Sequence, residues 1–196
     1  ITATQVETLF AFLQDMQVVS VFATADIHGN YIPYTSSDGK FEIGSVARIK
    51  TVMNEVEARL GEDHVIYVDG GDSPYNTTLA NVSMGNVSVD ALSALGLDAT
   101  VLGNHDFDYS LENLLRLRDR AQYAMLSANT KFKEGKAYAG EKEYPFGDYI
   151  TKEAAGLKFG IFGVTDDQSA ATTLYSNTYD IEWDDDLTTA KTLVSR

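Results

Sequence analysis

Residues 64–72 read "HVIYVDGGD", and this stretch carries the strongest indication of the fold. The apolar run at residues 65–68, rich in β-branched side chains, predicts a buried strand. The two glycines after it allow a sharp turn that places Asp72 at the edge of a sheet. A carboxylate at such an edge is able to bridge two metal ions, although a Gly-Gly-Asp turn taken alone is more often an ordinary structural turn.

On either side of this stretch, apolar runs alternate with segments of helical periodicity, which predicts an α/β fold. The predicted strands cover residues 18–24, 65–68, 98–102, 124–129 and a hairpin around Ala155 and Gly156, with residues 159–164 deeply buried. The predicted helices cover residues 6–16, 43–60, 87–95 and 111–121, with Ser110 as an N-cap, and residues 131–147 are predicted to be a loop.

A polar cluster follows each of four predicted strands. The clusters read "DIHGN", "DGGDS", "GNHD" and "TDDQS" in chain order. Ligands of open α/β sheets bind at the carboxyl ends of the strands, where loops converge on a rigid support. We therefore expect one functional site at this edge. The stretch "DDQS" at residues 166–169 is expected to cap the helix that follows, with a substrate contact as the alternative.

The overall composition limits the chemistry. The chain has 196 residues, no cysteine and a formal net charge of −14. Thiolate chemistry is therefore excluded, and a metal must be bound through oxygen and imidazole. The negative charge argues against a nucleic-acid polymer as a partner. No apolar run is long enough for a membrane span, so none is predicted.

The polar clusters contain candidate metal ligands. Asp26 and His28 are two residues apart, so both side chains can reach one cation. Asn104 offers a neutral carbonyl oxygen, whereas the adjacent His105 is expected to point away from the metal. There it would serve as a general acid or contact the leaving oxygen, and Asp106 would accept its other ring proton. A D-x-H pair alone also arises by chance, so the combination matters more than any single motif.

Together, D-x-H, G-D and G-N-H-D resemble the signature of the calcineurin-like metallophosphoesterases. The stretches "TADIHGN", "VDGGDS", "GNHDFDYS", "LSANT" and "GLKFGIFGVT" look most like the 5′-nucleotidase/UDP-sugar hydrolase branch. Ala25, Asp106 and Ser110 depart from the usual residues of that branch, and none of these changes removes a ligand. The resemblance covers roughly residues 18–167 and implies an α/β sandwich of two mixed sheets flanked by helices.

The resemblance also implies the roles of the site residues. Asp26 and His28 would bind the first of two divalent ions (Zn, Mn, Mg or Ca), Asp72 would bridge both, and Asn104 would bind the second. His105 would stabilise the phosphoryl transition state or protonate the leaving alkoxide, with Asp106 orienting it. A metal-bound hydroxide would attack the phosphorus of a nucleotide or another phosphoester, because bound metal lowers the pKa of water to about 7.

The family signature continues with three further histidines, and no histidine follows His105 here. We therefore expect residues 18–196 to be the first part of a catalytic domain. The amphipathic pattern at residues 6–16 separately predicts an N-terminal helical extension over residues 1–17. The rest of that domain and a C-terminal nucleotide-recognition domain would be missing from this chain. We expect the isolated fragment to be nearly inactive and prone to self-association through its exposed sheet edge. The family also implies an exported protein.

Two other functions remain open at this point. One is a cyclic-nucleotide or nucleotide-sugar phosphodiesterase built on the same fold. The other is a binding module without catalysis that keeps the fold, which the intact ligand positions disfavour.

Overall fold

The computed structural model describes residue 2, residues 4–8 and residues 16–196. Residues 4–8 form the described part of a short helix, α1. Val6 and Met16, two apolar positions of the predicted N-terminal helix, are exposed. The remaining apolar positions of that helix, at residues 9, 10 and 13, lie outside the described residues, so the predicted helix over residues 6–16 stays a prediction.

The centre of the fold is a four-stranded sheet of parallel strands in the order β1-β4-β5-β6. Helices connect the strands, as parallel pairing requires. The strands are β1 (Ser20–Thr24), β4 (Val65–Asp69), β5 (Ala99–Val101) and β6 (Ala124–Leu126), and the connecting helices are α2 (Val46–Leu60), α3 (Thr78–Val82), α4 (Asn86–Leu95) and α5 (Leu111–Arg120). The predicted α/β class is confirmed.

The helix ends follow the local signals in the sequence. α4 ends at Gly96, which adopts the left-handed conformation (φ 84°) that glycine tolerates best. α5 begins after Ser110, whose hydroxyl oxygen accepts a hydrogen bond from the backbone N–H of Asn113. α2 begins at Val46, later than predicted, because Ile43 belongs to a short strand, β3 (Glu42–Ile43).

Among the described residues, three antiparallel pairs accompany the parallel sheet. They are β2 (Tyr34–Thr35) with β3 (Glu42–Ile43), β7 (Thr130–Phe132) with β10 (Ile181–Trp183), and β8 (Tyr149–Ala154) with β9 (Leu157–Phe162). The last helices are α6 (Ser169–Thr172), α7 (Tyr175–Thr178) and α8 (Asp186–Val194). The hairpin around Ala155 is confirmed, whereas the loop predicted from residue 131 begins only after β7.

Two predictions of complete burial are wrong. β1 is an edge strand, and Val21 remains 59% exposed. Phe162 in β9 remains 40% exposed, because the β8–β9 hairpin forms a sheet of its own and alternate residues of β9 face solvent. Apolar sequence alone does not distinguish a strand buried on both faces from one covered on a single face.

The core contains two clusters of buried apolar side chains. One cluster joins α5 to β6, β7 and β10 and includes Phe107, which has no exposed surface. A second cluster joins α2 and α4 to β4 around Met53 and Tyr67. Dense packing beneath the strand ends provides a rigid support for the loops above them. Within the described ranges, no helix is long and apolar enough to span a bilayer.

Candidate metal and catalytic site

The loops after β1 and β4 are hydrogen-bonded to each other beyond the ends of the two strands. The backbone N–H of Asp26 donates to the carbonyl of Gly71 at 3.0 Å, and the N–H of His28 donates to the carbonyl of Asp72 at 3.0 Å. These bonds continue the parallel pairing of β1 with β4. The two polar clusters therefore form one surface, as predicted from their position at the carboxyl ends of the strands.

Three predicted ligands come together on this surface. One carboxylate oxygen each from Asp26 and Asp72 and one imidazole nitrogen from His28 lie within 4.8 Å of one another. His28 Nε2 is 3.7 Å from Asp26 Oδ1. Oxygen and imidazole donors in this combination suit a hard or borderline divalent cation.

The backbone at these positions is strained. Asp26, His28 and Asp72 have φ values of 53°, 48° and 56°, a region that non-glycine residues seldom occupy. Such conformations cost about 1–3 kcal/mol each and concentrate at functional sites. In addition, His28 Nδ1 is buried and has no hydrogen-bond partner in the part of the chain that the structure describes. A strained donor cluster with an unpartnered imidazole nitrogen fits a cation site.

Asn104 follows β5 and lies in a 3-10 turn at Asn104–Phe107. Its amide nitrogen donates to the carbonyl of Thr172, at the end of α6, at 3.0 Å. This bond fixes the orientation of the amide. The role of Asn104 as a ligand of a second ion stays a prediction.

The partner of His105 is not the predicted one. His105 Nδ1 lies 2.6 Å from Asp108 Oδ2, so Asp108, rather than Asp106, accepts the second ring proton. A 3-10 turn has three residues per turn, which places residues three apart on the same side and adjacent residues on different sides. Burial opposes protonation of His105, but the hydrogen bond and charge of Asp108 outweigh it and raise the pKa of the imidazole.

Asp106 instead connects two loops. Its buried Oδ2 accepts hydrogen bonds from the backbone N–H groups of Asp72, at 2.8 Å, and Gly103, at 2.9 Å. Burial raises the pKa of Asp106 to about 7, and repulsion from Asp72 and Asp69 adds to the effect. Asp106 therefore positions the loops after β4 and β5 relative to each other.

The Asp72 carboxylate is itself anchored. Its Oδ1 accepts the backbone N–H of His105 at 2.7 Å, which connects the predicted bridging ligand to the third loop. The side chain is thereby held at the point where all three loops meet. His28 and His105 face each other across this point, with ring centroids 5.1 Å apart.

Sequence reasoning missed two supporting features. Asp69 is buried, and its carboxylate accepts hydrogen bonds from the hydroxyl groups of Thr24, Ser73 and Thr100. Burial raises the pKa of Asp69. The segment at residues 172–177 also contacts the site, because the hydroxyl of Thr173 and the amide of Asn177 donate to Asp108. For the pairing of His105 with Asp108, the three-residue spacing in the turn was the only signal in the sequence. Nothing in the sequence indicated the contacts of Asp69 or of residues 172–177.

The geometry thus places a cluster of donor atoms that could hold a cation beside a histidine–aspartate pair. Among the relatives of known name, a 5′-nucleotidase of Vibrio vulnificus is 29% identical over 154 residues, which are 78% of this chain and 26% of that protein. A 5′-nucleotidase of Bos taurus is 34% identical over 122 residues, which are 59% of this chain and 21% of that protein. The chain spans about a quarter of the length of these relatives.

Solved structures show the same fold. A 5′-nucleotidase precursor of Thermus thermophilus superposes with a TM-score of 0.76 at 24% identity, covering 90% of this chain and 34% of that one. The profile of the family described as Calcineurin-like phosphoesterase matches residues 19–188. Because this match extends over most of the chain, the protein belongs to the calcineurin-like phosphoesterase family.

Proposed function

We propose that the chain forms the N-terminal part of the catalytic domain of a 5′-nucleotidase-type phosphomonoesterase that uses two divalent ions. The observation that carries this proposal is the meeting of Asp26, His28 and Asp72 donor atoms within 4.8 Å beside His105. Family membership and the 5′-nucleotidase relatives support the substrate class. Export from the cell, implied by the family resemblance, is part of the same proposal.

The ligand residues have distinct tasks in this proposal. Asp26 and His28 hold the first ion, Asp72 serves both ions, and Asn104 holds the second. Bound divalent ions supply a water of lowered pKa and neutralise negative charge on the phosphate. Neutralisation matters here, because the chain carries a net charge of −14 and its substrate is an anion.

His105 acts on the leaving-group side of the phosphate. The hydrogen bond of Nδ1 to Asp108 directs Nε2 away from that carboxylate. Nε2 then stabilises the phosphoryl oxygens in the transition state or protonates the leaving alkoxide. Asp108 holds the ring orientation, and Thr173 and Asn177 hold Asp108. This chain of contacts, from the segment at residues 173–177 through Asp108 to the imidazole, keeps His105 in place during the reaction.

The first test is metal binding. We expect Mn²⁺ or Zn²⁺ to raise the melting temperature of the protein, since a ligand at 100 times its Kd stabilises the folded state by about 2.7 kcal/mol. Asp72→Asn should abolish most of this shift. Asp63→Asn is the matched control, because its side chain is 81% exposed and lies at the opposite end of β4. An equal shift in all three proteins would refute the site, and no shift in any of them would favour a binding module.

The second test is hydrolysis. The assay uses the full-length protein, because the resemblance implies further histidine ligands beyond residue 196. We expect release of phosphate from AMP and from p-nitrophenyl phosphate that depends on added metal and is lost in Asp72→Asn. A panel with cyclic nucleotides and nucleotide sugars separates the monoesterase from a diesterase. Hydrolysis of the diesters alone would contradict the monoesterase proposal.

A further inference from the structure

The imidazole of His105 is covered on one face by an aromatic ring that has no part in the chemistry described so far. The ring of Tyr75 stacks on it, with centroids 5.5 Å apart and the two planes inclined by only 4°. Tyr75 follows Asp72 and Ser73 in the loop after β4 and is half-buried. Nearly parallel, offset rings at this separation form a favourable aromatic contact.

The ring of Tyr75 has a second aromatic neighbour. Tyr109 contacts it edge-on, at 5.8 Å between centroids. The hydroxyl of Tyr109 donates to the carbonyl of Pro74 and to Asn81 Oδ1, at 3.2 and 2.8 Å. Asn76, the next residue, has a φ of 104° and also donates its N–H to Asn81 Oδ1. The ring of Tyr75 is therefore held by neighbours that do not belong to the cluster of Asp26, His28 and Asp72.

A hydrogen bond and a stack restrain an imidazole in different ways. The bond from Nδ1 to Asp108 fixes one point in the ring plane, but it leaves the ring able to turn about the N–H···O axis. Contact along the ring face opposes that rotation. The edge-on contact with His28, at 5.1 Å between ring centroids, adds a further restraint. With Asp108 alone, the position of Nε2 would be less well determined.

We propose that Tyr75 is a positioning residue that keeps the His105 imidazole oriented toward the leaving group. This inference rests on the proposed function, and within it on protonation of the leaving alkoxide by His105. Tyr75 does not transfer a proton and does not contact a cation. Because the contact uses the ring and no polar atom, phenylalanine should replace tyrosine and leucine should not.

The kinetic test compares Tyr75→Phe, Tyr75→Leu and the control Tyr149→Leu, whose tyrosine is exposed in β8. We expect Tyr75→Leu to lower kcat for AMP by about 10- to 100-fold, with little change in KM, as for other supporting contacts. The loss should be smaller with p-nitrophenyl phosphate, whose leaving group needs less protonation. A merely structural change would lower both rates equally, and that result, or an unchanged Tyr75→Leu, would overturn the proposal.

A second measurement does not need activity. The His105 ring protons are assigned in an NMR spectrum as the signals missing from His105→Gln. Removal of the stacked ring in Tyr75→Leu should shift these signals downfield and broaden them, whereas Tyr75→Phe and Tyr149→Leu should leave them in place. An unshifted His105 signal would refute the stack in solution. In the full-length protein, an inactive wild type with the expected shifts would refute the proposed function and retain the positioning contact.

Discussion

Gly103 lies directly beneath the Asp72 carboxylate, and substitution by alanine is a sharp test of the site. A Cβ at this position would lie 2.6 Å from Asp72 Cγ and 3.0 Å from Oδ2. Ordinary contact begins at 3.4 Å, so the carboxylate carbon must move by about 0.8 Å. Gly103 has an extended backbone (φ −92°), so alanine introduces no backbone strain of its own. The perturbation therefore acts mainly through the position of Asp72.

The displacement should be costly for function and modest for folding. A shift of this size is expected to lower kcat/KM by about 100-fold, since misplacement by about 1 Å has that effect. Metal affinity should fall by about 10- to 100-fold. The hydrogen bond from the N–H of His105 to Asp72 Oδ1 would also be strained, at a cost of about 1 kcal/mol in the free energy of unfolding.

The assay measures the Mn²⁺ dissociation constant by calorimetry and the free energy of unfolding in urea for the same samples. Gly160→Ala is the matched control, because a Cβ at Gly160 in β9 would meet no atom within 4 Å. We expect Gly160→Ala to bind metal like the wild type. Wild-type metal affinity in Gly103→Ala would refute Asp72 as a ligand, and equal losses in both variants would refute the steric explanation.

The remaining predictions separate neighbouring roles. Asp106→Ala should lower the free energy of unfolding by about 3 kcal/mol, because two buried N–H donors lose their acceptor, whereas Asp108→Asn should lower kcat about 10- to 100-fold with little loss of stability. Urea unfolding and AMP hydrolysis of both variants check this. A loss of kcat in the Asp106 variant and a loss of stability in the Asp108 variant would restore Asp106 as the orienting residue. The hydrogen bond to Arg118 lowers the pKa of Glu141 below its ordinary value of 4.5. The pair therefore stabilises the protein at pH values above 4.5, and this stabilisation disappears as the pH falls below the lowered pKa. Glu141→Gln should therefore lose about 1 kcal/mol at pH 7 and almost nothing near pH 3, and a loss independent of pH would contradict an ionic contribution. Ser110→Gly should be more stable than Ser110→Ala by about 1 kcal/mol, because the backbone at this position has a φ of 122°, which glycine adopts without strain and alanine does not. Identical urea midpoints would argue against strain at this N-cap.

The sequence predicted the elements whose signals are local. Helix ends at Gly61 and Gly96 and the N-cap at Ser110 depend on a few adjacent residues, and each appears in the structure. The alternation of strands and helices was sufficient for the fold class, because parallel strands require such connections. Burial was predicted less well, since the exposure of β1 and β9 depends on which elements pack against them.

The candidate site was likewise predicted in part: the positions of its residues along the fold were predicted, and their contacts were not. Local sequence was enough to place Asp26, His28, Asp72 and Asn104 at strand ends, because the residues after a parallel strand emerge at one edge of the sheet. The hydrogen-bond partners, by contrast, depend on how the three loops pack against one another. The 3-10 turn pairs His105 with Asp108 and turns Asp106 inward, toward backbone donors of two loops. The stacking of Tyr75 on His105 likewise joins residues that lie far apart along the chain, and such contacts arise only when the strands beneath them have paired.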